Sequence, residues 1–190
     1  VLHVGEASSE PTLRKALAIG ADKAIRIDTP AIDAFVVAEQ ISNYIQSNPY
    51  DLIIAGRESI DYNGSMVPGM IAANCDLAFV NNCVKLEIDG SSASGTREMD
   101  GGMEVLKADL PLIIGSQKGL VEETDLRIPN MRGIMQARQK PLEVMPAKES
   151  SPKTSISSFE KPASKAAVKL VPADDIDQLI DLLQNEAKVL

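Results

Sequence analysis

The segment from Asp51 to Met70 constrains the fold more than any other. Leu52-Ile-Ile-Ala55 is a short apolar run with charge before it and Gly56 after it, the pattern of a strand buried on both faces of a parallel sheet. A polar loop, Gly56 to Ser65, follows at once. The apolar stretch Met66 to Ala73 then reads as a helix, with Ser65 as its expected N-cap. A strand, a glycine-bearing loop and a helix start together aim backbone N–H groups and the positive end of a helix dipole at one point, which suits an anion. In open α/β sheets the crevice beyond the carboxyl ends of the strands is the usual ligand site. A phosphate-bearing ligand is therefore one reading. An ordinary connecting loop is the other, because the spacing matches neither the GxGxxG fingerprint nor a lysine-bearing P-loop.

The residues on either side repeat the alternation. Leu2 to Val4 reads as a strand end. Ser9 and Pro11 then open a helix with Leu13, Ala16 and Leu17 on one face and Gly20 as its stop. A strand over Ala24 to Ile27 follows, and Thr29-Pro30 introduces a second helix carrying Ile32, Val36, Ile41 and Ile45 up to Asn48-Pro49. Strands alternating with helices predict parallel pairing and an α/β fold. From Val84 the period changes to two: Val84, Leu86 and Ile88 alternate with polar residues, Asp89-Gly90 marks a hairpin, and strands around Ala93 to Met99 and Met103 to Leu106 complete a small antiparallel excursion. Leu110 to Gly115 returns to a continuous apolar strand, and Leu142 to Met145 is the last one.

Composition removes several function classes. The net charge of -8 leaves no cationic excess to neutralise nucleic acid or an anionic membrane. No apolar run approaches the roughly 18 residues of a membrane span, and no signal peptide is visible. Cys75 and Cys83 form no CxxC pair and read as inert thiols in a reducing, cytoplasmic compartment. His3 is the only histidine, so a histidine metal site or a Ser-His-Asp triad has almost nothing to work with. Glu122, Glu123 and Asp125 read as solvated charge on a surface loop.

Two segments remain without a core to belong to. Arg127-Ile-Pro-Asn-Met-Arg-Gly133 holds Ile128 and Met131 in a stretch that Pro129 and Gly133 are expected to keep irregular, so these side chains either fold back onto the core or are offered to a partner. Residues 146–172 are rich in Ser, Lys, Pro and Ala and read as an extended linker arm, with Phe159 nearly alone among large apolar residues to about Ala167. Residues 173–190 read as a docking helix with Ile176, Leu179, Ile180, Leu183 and Ala187 on one stripe. Residues 1–145 make the α/β domain.

Five ordered blocks carry a resemblance over nearly the whole chain: Ala16-Leu-Ala-Ile-Gly-Ala-Asp22, Asp51 to Asp61, Arg97-Glu-Met-Asp-Gly-Gly-Met-Glu104, Leu110-Pro111, and Arg127 to Glu143. At these separations the chain resembles the β subunit of electron transfer flavoprotein. That family has a further N-terminal strand and helix, and this chain opens at Val1 inside an apparent strand, so an N-terminally truncated member is expected. The resemblance implies a Rossmann-like parallel sheet of the adenine nucleotide alpha hydrolase type with helices on both faces. It also implies a non-enzymatic, heterodimeric electron carrier whose FAD lies mainly on the α subunit. Such a carrier, found in fatty acid oxidation, takes electrons from acyl-CoA and related dehydrogenases and passes them to a membrane quinone oxidoreductase or another acceptor. By position, an AMP, or a second FAD in bifurcating members, falls on Val4 and on Gly56, Arg57, Glu58, Ser59, Ile60, Asp61, Tyr62, Asn63, Gly64, Ser65, Met66 and Val67. Family members often carry Gln at the position of Met66, which leaves backbone N–H groups to hold the ligand here. The family's recognition loop for acyl-CoA dehydrogenases matches Ile128, Pro129, Asn130, Met131 and Arg132, with Met131 as the anchor, and the C-terminal arm and helix match the part that embraces the α subunit. A stand-alone adenine-nucleotide-binding regulator or an adenylating enzyme is the reading from another class; the latter wants a pyrophosphate loop of SGGxDS type, which the chain lacks.

Overall fold

The computed structural model describes every residue except Asp61 and Ala166. The chain forms two compact units, Val1–Ser155 and Ile156–Leu190. Strands and helices alternate in the first as far as β4, and four strands then run in succession before the last helix and strand: β1 (Leu2–Val4), α1 (Glu10–Ile19), β2 (Ala24–Asp28), α2 (Ala34–Ser47), β3 (Leu52–Gly56), α3 (Val67–Cys75), β4 (Ala78–Asp89), β5 (Ser92–Met99), β6 (Gly102–Asp109), β7 (Leu112–Ser116), α4 (Met131–Ala137) and β8 (Leu142–Pro146). One sheet has the order β1-β2-β8 and is parallel throughout; the other has the order β3-β7-β4-β5-β6, parallel from β3 to β4 and antiparallel beyond. The α/β reading and the antiparallel excursion are both present, with Asp89 opposite Ser92 across the first turn and Met99 opposite Gly102 across the second.

Helices cover both faces of the three-stranded sheet because successive strand residues point opposite ways. Ala24 packs with Leu13 and Leu17 of α1 and Ala137 of α4. Ile27 lies on the side of Gln40 and Tyr44 of α2. In the five-stranded sheet Ile113 packs with Ala38, Ile45, Ile71 and Ala72 of α2 and α3, while Leu112 and Ile114 pack with Val80, Cys83 and Ala93 beneath the antiparallel strands. Each strand is thus placed by its own apolar alternation. Burial also raises the Cys83 thiol pKa, in keeping with an inert cysteine.

Several local expectations change. β3 is not buried on both faces: it ends its sheet, pairs only with β7, and leaves Ile54 60 % exposed. α2 begins after Asp33, not at Thr29-Pro30, and Ile32 is exposed. Ser9 precedes α1 without capping it, its hydroxyl instead donating to Glu6 O at 2.7 Å. Gly20 does stop α1, at φ 146°, a backbone region that glycine alone enters cheaply.

Residues 148–154, assigned to the arm by composition, are bonded to α2. Gln40 accepts from Lys148 N and donates to Lys148 O, at 2.9 and 2.8 Å. The Asp33 carboxylate caps α2 by accepting from Val36 N at 2.8 Å, and its other oxygen accepts from Lys153 N and Thr154 N at 2.6 and 2.9 Å. Burial acts to raise the Asp33 pKa, but the three backbone N–H groups outweigh it and hold the carboxyl below its usual range. A depressed folded-state pKa contributes stability that is present above the unfolded value and is lost as pH falls through the folded one. Asp33→Ala is expected to cost about 1–2 kcal/mol at neutral pH and less in acid, where the carboxyl is protonated in both states. Thermal unfolding at both pH values checks this, and an equal Tm at neutral pH would rule the clasp out.

In the second unit, α5 (Ile176–Asp181) is shorter than the expected helix and passes into a wider turn over Leu182–Glu186. Its side chains Ile176, Leu179 and Ile180 are exposed. Among the described residues no helix is long and apolar enough to cross a membrane, and no cluster of His, Cys, Asp and Glu suits a metal ion.

Candidate functional site

The loop from Gly56 to Val67 starts at the carboxyl end of β3, where Gly56 lies opposite Ser116 of β7. Arg57 N donates to Ser116 O at 2.9 Å, and the Ser116 hydroxyl donates to Ala55 O at 2.9 Å, so the β3–β7 ladder is prolonged into the loop. The Arg57 guanidinium donates to Gln117 Oε1 at 2.9 Å and pairs with Glu58. Glu58 also accepts from the Ser65 hydroxyl at 2.9 Å. That hydrogen bond, followed by Arg57, lowers the Glu58 pKa. The two ends of the loop are therefore tied by one carboxylate. Between them Asn63 N donates to Ser59 O at 2.9 Å.

Ser65 does not cap α3. It sits at φ 50° with its hydroxyl turned to Glu58, and the residue before the helix is Met66, which offers no side-chain acceptor. The residue before α3, Met66, thus gives no side-chain cap, and Pro68 has no N–H to contribute. This arrangement fits a phosphate: the positive end of a nine-residue helix follows the loop, and Arg57 lies at the loop's other end. Glu58 works against an anion, but its charge is opposed by the ion pair to Arg57. Ile60 and Tyr62 are exposed at the tip, and Asp61 lies outside the described residues.

Val4 stands apart. It is 3 % exposed, in β1, and pairs with Ile27 in the three-stranded sheet, whereas the loop hangs from the five-stranded one. Beside it lies a polar group with no signal in the sequence: Arg26, 4 % exposed, donates to Gly5 O at 2.9 Å and pairs with Glu10 and Asp28. Burial and then Arg26 lower the His3 pKa, so the one histidine stays neutral at physiological pH.

The segment Ile128 to Arg132 is more ordered than its Pro and Gly content suggests. Asn130 caps α4 by accepting from Gly133 N at 2.8 Å, so Met131 and Arg132 form the first turn of a helix and only Ile128 and Pro129 stay in the loop. Gly133 is needed for contact, since a Cβ there would stand 2.6 Å from Ala18 O of α1. A reciprocal clamp locks the pair of helices. Arg14 of α1 donates to Ala137 O and Lys140 O at 2.8 and 2.7 Å, and Lys140 donates to Leu17 O and Ala21 O at 3.0 and 2.7 Å. On this rigid base Ile128 and Met131 are 83 % and 76 % exposed. They are presented to solvent and not folded back.

Residues 1–150 match the family model described as the electron transfer flavoprotein domain. The chain belongs to the electron transfer flavoprotein beta-subunit family. The beta subunit of Bacillus subtilis is 33 % identical to it over 201 residues, covering 98 % of this chain and 77 % of the relative. That of Syntrophomonas wolfei is 34 % identical, covering 100 % and 75 %. The beta subunit of Sus scrofa is 30 % identical over 182 residues, 90 % of this chain and 70 % of its own. The matched region of the family model takes in both the Gly56–Val67 loop and α4 of this electron transfer flavoprotein homologue.

Proposed function

We propose that the chain is the non-catalytic beta subunit of a heterodimeric electron carrier, with AMP bound at the Gly56–Val67 loop and FAD shared with an alpha subunit. The observation that carries the nucleotide is the uncapped start of α3 at the carboxyl end of β3. In this reading the α3 N–H groups hold the phosphate, Arg57 adds charge, and the Arg57–Glu58–Ser65 bonds keep the loop closed around it. FAD, when bound, supplies the electron transfer; this chain's residues supply structure and docking. Acyl-CoA dehydrogenases donate electrons after Met131 enters a pocket on their surface, and a quinone oxidoreductase of the membrane accepts them. The carrier works in the cytoplasm.

The test is to co-express the full-length chain with its alpha subunit, denature the complex, and count the nucleotides released. One AMP and one FAD per heterodimer is expected. Two FAD and no AMP would make the loop a redox site and the protein a bifurcating carrier, and no AMP with one FAD would remove nucleotide binding from this chain. Ser65→Trp is expected to reduce AMP to well below one per heterodimer while leaving FAD in place. Full AMP occupancy in that variant would put the phosphate elsewhere.

A further inference from the structure

We infer that Gln117 is a positioning residue for the nucleotide phosphate: its carboxamide holds Arg57 at the head of the Gly56–Val67 loop and is itself held by Glu98 of β5. The inference rests on the nucleotide reading and names what orients the one cation of that loop. Gln117 follows the last residue of β7, the strand that lies between β3 and β4. Its main chain is fixed on both sides, since its N–H donates to Cys83 O of β4 at 3.0 Å and its carbonyl accepts from Leu120 N at 3.2 Å. Only the side chain is left to orient.

The partners decide which way the carboxamide faces. Oε1 accepts from Arg57 Nη1 at 2.9 Å, and Nε2 donates to a carboxylate oxygen of Glu98. A guanidinium only donates and a carboxylate only accepts, so the amide oxygen belongs toward Arg57 and the amide nitrogen toward Glu98. An amide serves both at once without carrying charge. From Arg57 the bonds continue through Glu58 to the Ser65 hydroxyl, the last at 2.9 Å. Glu98, Gln117, Arg57, Glu58 and Ser65 thus form one chain of side chains from β5 to the residue two before α3.

The charges explain why a neutral group suits this position. Arg57 already has Glu58 on one side, and that carboxylate opposes an anion at the loop. A second carboxylate at 117 would cancel the remaining positive potential, whereas an amide orders the guanidinium and leaves its charge to the phosphate. Order has its own value. An arginine side chain carries much rotamer entropy, and what is fixed before the ligand arrives is not lost when it binds. Because Glu98 stands on β5 and Gln117 beyond β7, this order is imposed by the five-stranded sheet and not by the loop alone.

The experiment measures the Kd for AMP of the full-length alpha–beta heterodimer by equilibrium dialysis, with Tm and FAD content as checks of folding. Gln117→Met keeps the length of the side chain and removes both hydrogen bonds; it is expected to weaken AMP about five- to tenfold. Gln117→Glu keeps an acceptor for Arg57 but faces Glu98 and adds negative charge, so it is expected to lose at least as much. Arg57→Ala is expected to lose about tenfold or more, and Gln117→Met added to it should cost little further, because a residue that acts through Arg57 has nothing left to position. Losses that add in the double variant would show that Gln117 acts without Arg57 and would overturn the inference. Wild-type affinity in Gln117→Met with weak binding in Arg57→Ala would also overturn it, leaving the nucleotide reading in place. No AMP bound by the wild-type heterodimer would remove that reading and the inference with it.

Discussion

Gly133→Val is expected to lower the stability of the Val1–Ser155 unit by about 2–3 kcal/mol, a fall in Tm of roughly 5–10 °C for a domain of this size. The two opposing effects can be weighed. Glycine in a helix is less favourable than alanine by about 1 kcal/mol, so on propensity alone a side chain at position 133 would stabilise α4. Contact decides against it. A Cβ at Gly133 would lie 2.6 Å from Ala18 O, and the obstructing atom is backbone of α1, which no rotamer change can move. α4 must then retreat from α1, stretching the bonds from Arg14 to Ala137 O and from Lys140 to Leu17 O. Because the clash belongs to Cβ itself, Gly133→Ala should already destabilise despite its better propensity, and valine more. Thermal unfolding of the heterodimer measures both, and a Tm for Gly133→Ala at or above wild type would show that the helices separate at no cost.

The same pair of helices shows what could and could not be read from residue order. α1 was legible because Leu13 and Leu17 recur at helical spacing and Gly20 ends them. The irregularity expected of Arg127–Gly133 failed because Pro129 precedes the helix and Gly133 lies within it; Asn130, a good cap, was the stronger signal. The clamp was not legible at all, since Arg14 and Lys140 reach partners more than 100 residues away. Asp33 was missed for a related reason: its second oxygen is used by Lys153 and Thr154, 120 and 121 residues on. Ser65 illustrates the limit of capping rules. It has the right residue type next to the helix, yet a charged acceptor, Glu58, competes for its hydroxyl and the backbone turns left-handed. Ile54 makes the corresponding point for strands, where burial depends on how many neighbours the sheet supplies and not on the apolar run alone.

Met131→Ala is expected to cost the largest share of productive docking, about 2 kcal/mol, or roughly a thirtyfold fall in the second-order rate of reduction by an acyl-CoA dehydrogenase. The magnitude follows from what the side chain is and where it stands. Methionine at 76 % exposure leaves apolar surface in water, and burying a side chain of this size in a partner pocket is worth about 1.5–3 kcal/mol. Its flexible thioether would fit pockets of differing shape, which suits the proposed docking to several donors. Met131 also has a rigid mount. Asn130 fixes the start of α4, Gly133 seats it on Ala18, and the Arg14–Lys140 clamp holds the two helices, so little ordering is left to be done on binding. Met131→Leu should therefore retain most of the rate, since volume and apolar character are kept, while Met131→Glu should lose more than alanine does. Bound flavin and Tm should be unchanged in all three, because an exposed residue on the first turn contributes little to folding. Stopped-flow reduction of the heterodimer at several dehydrogenase concentrations distinguishes the cases: a fall confined to the second-order term places Met131 in docking, and equal rates for alanine and wild type would end the anchor's role.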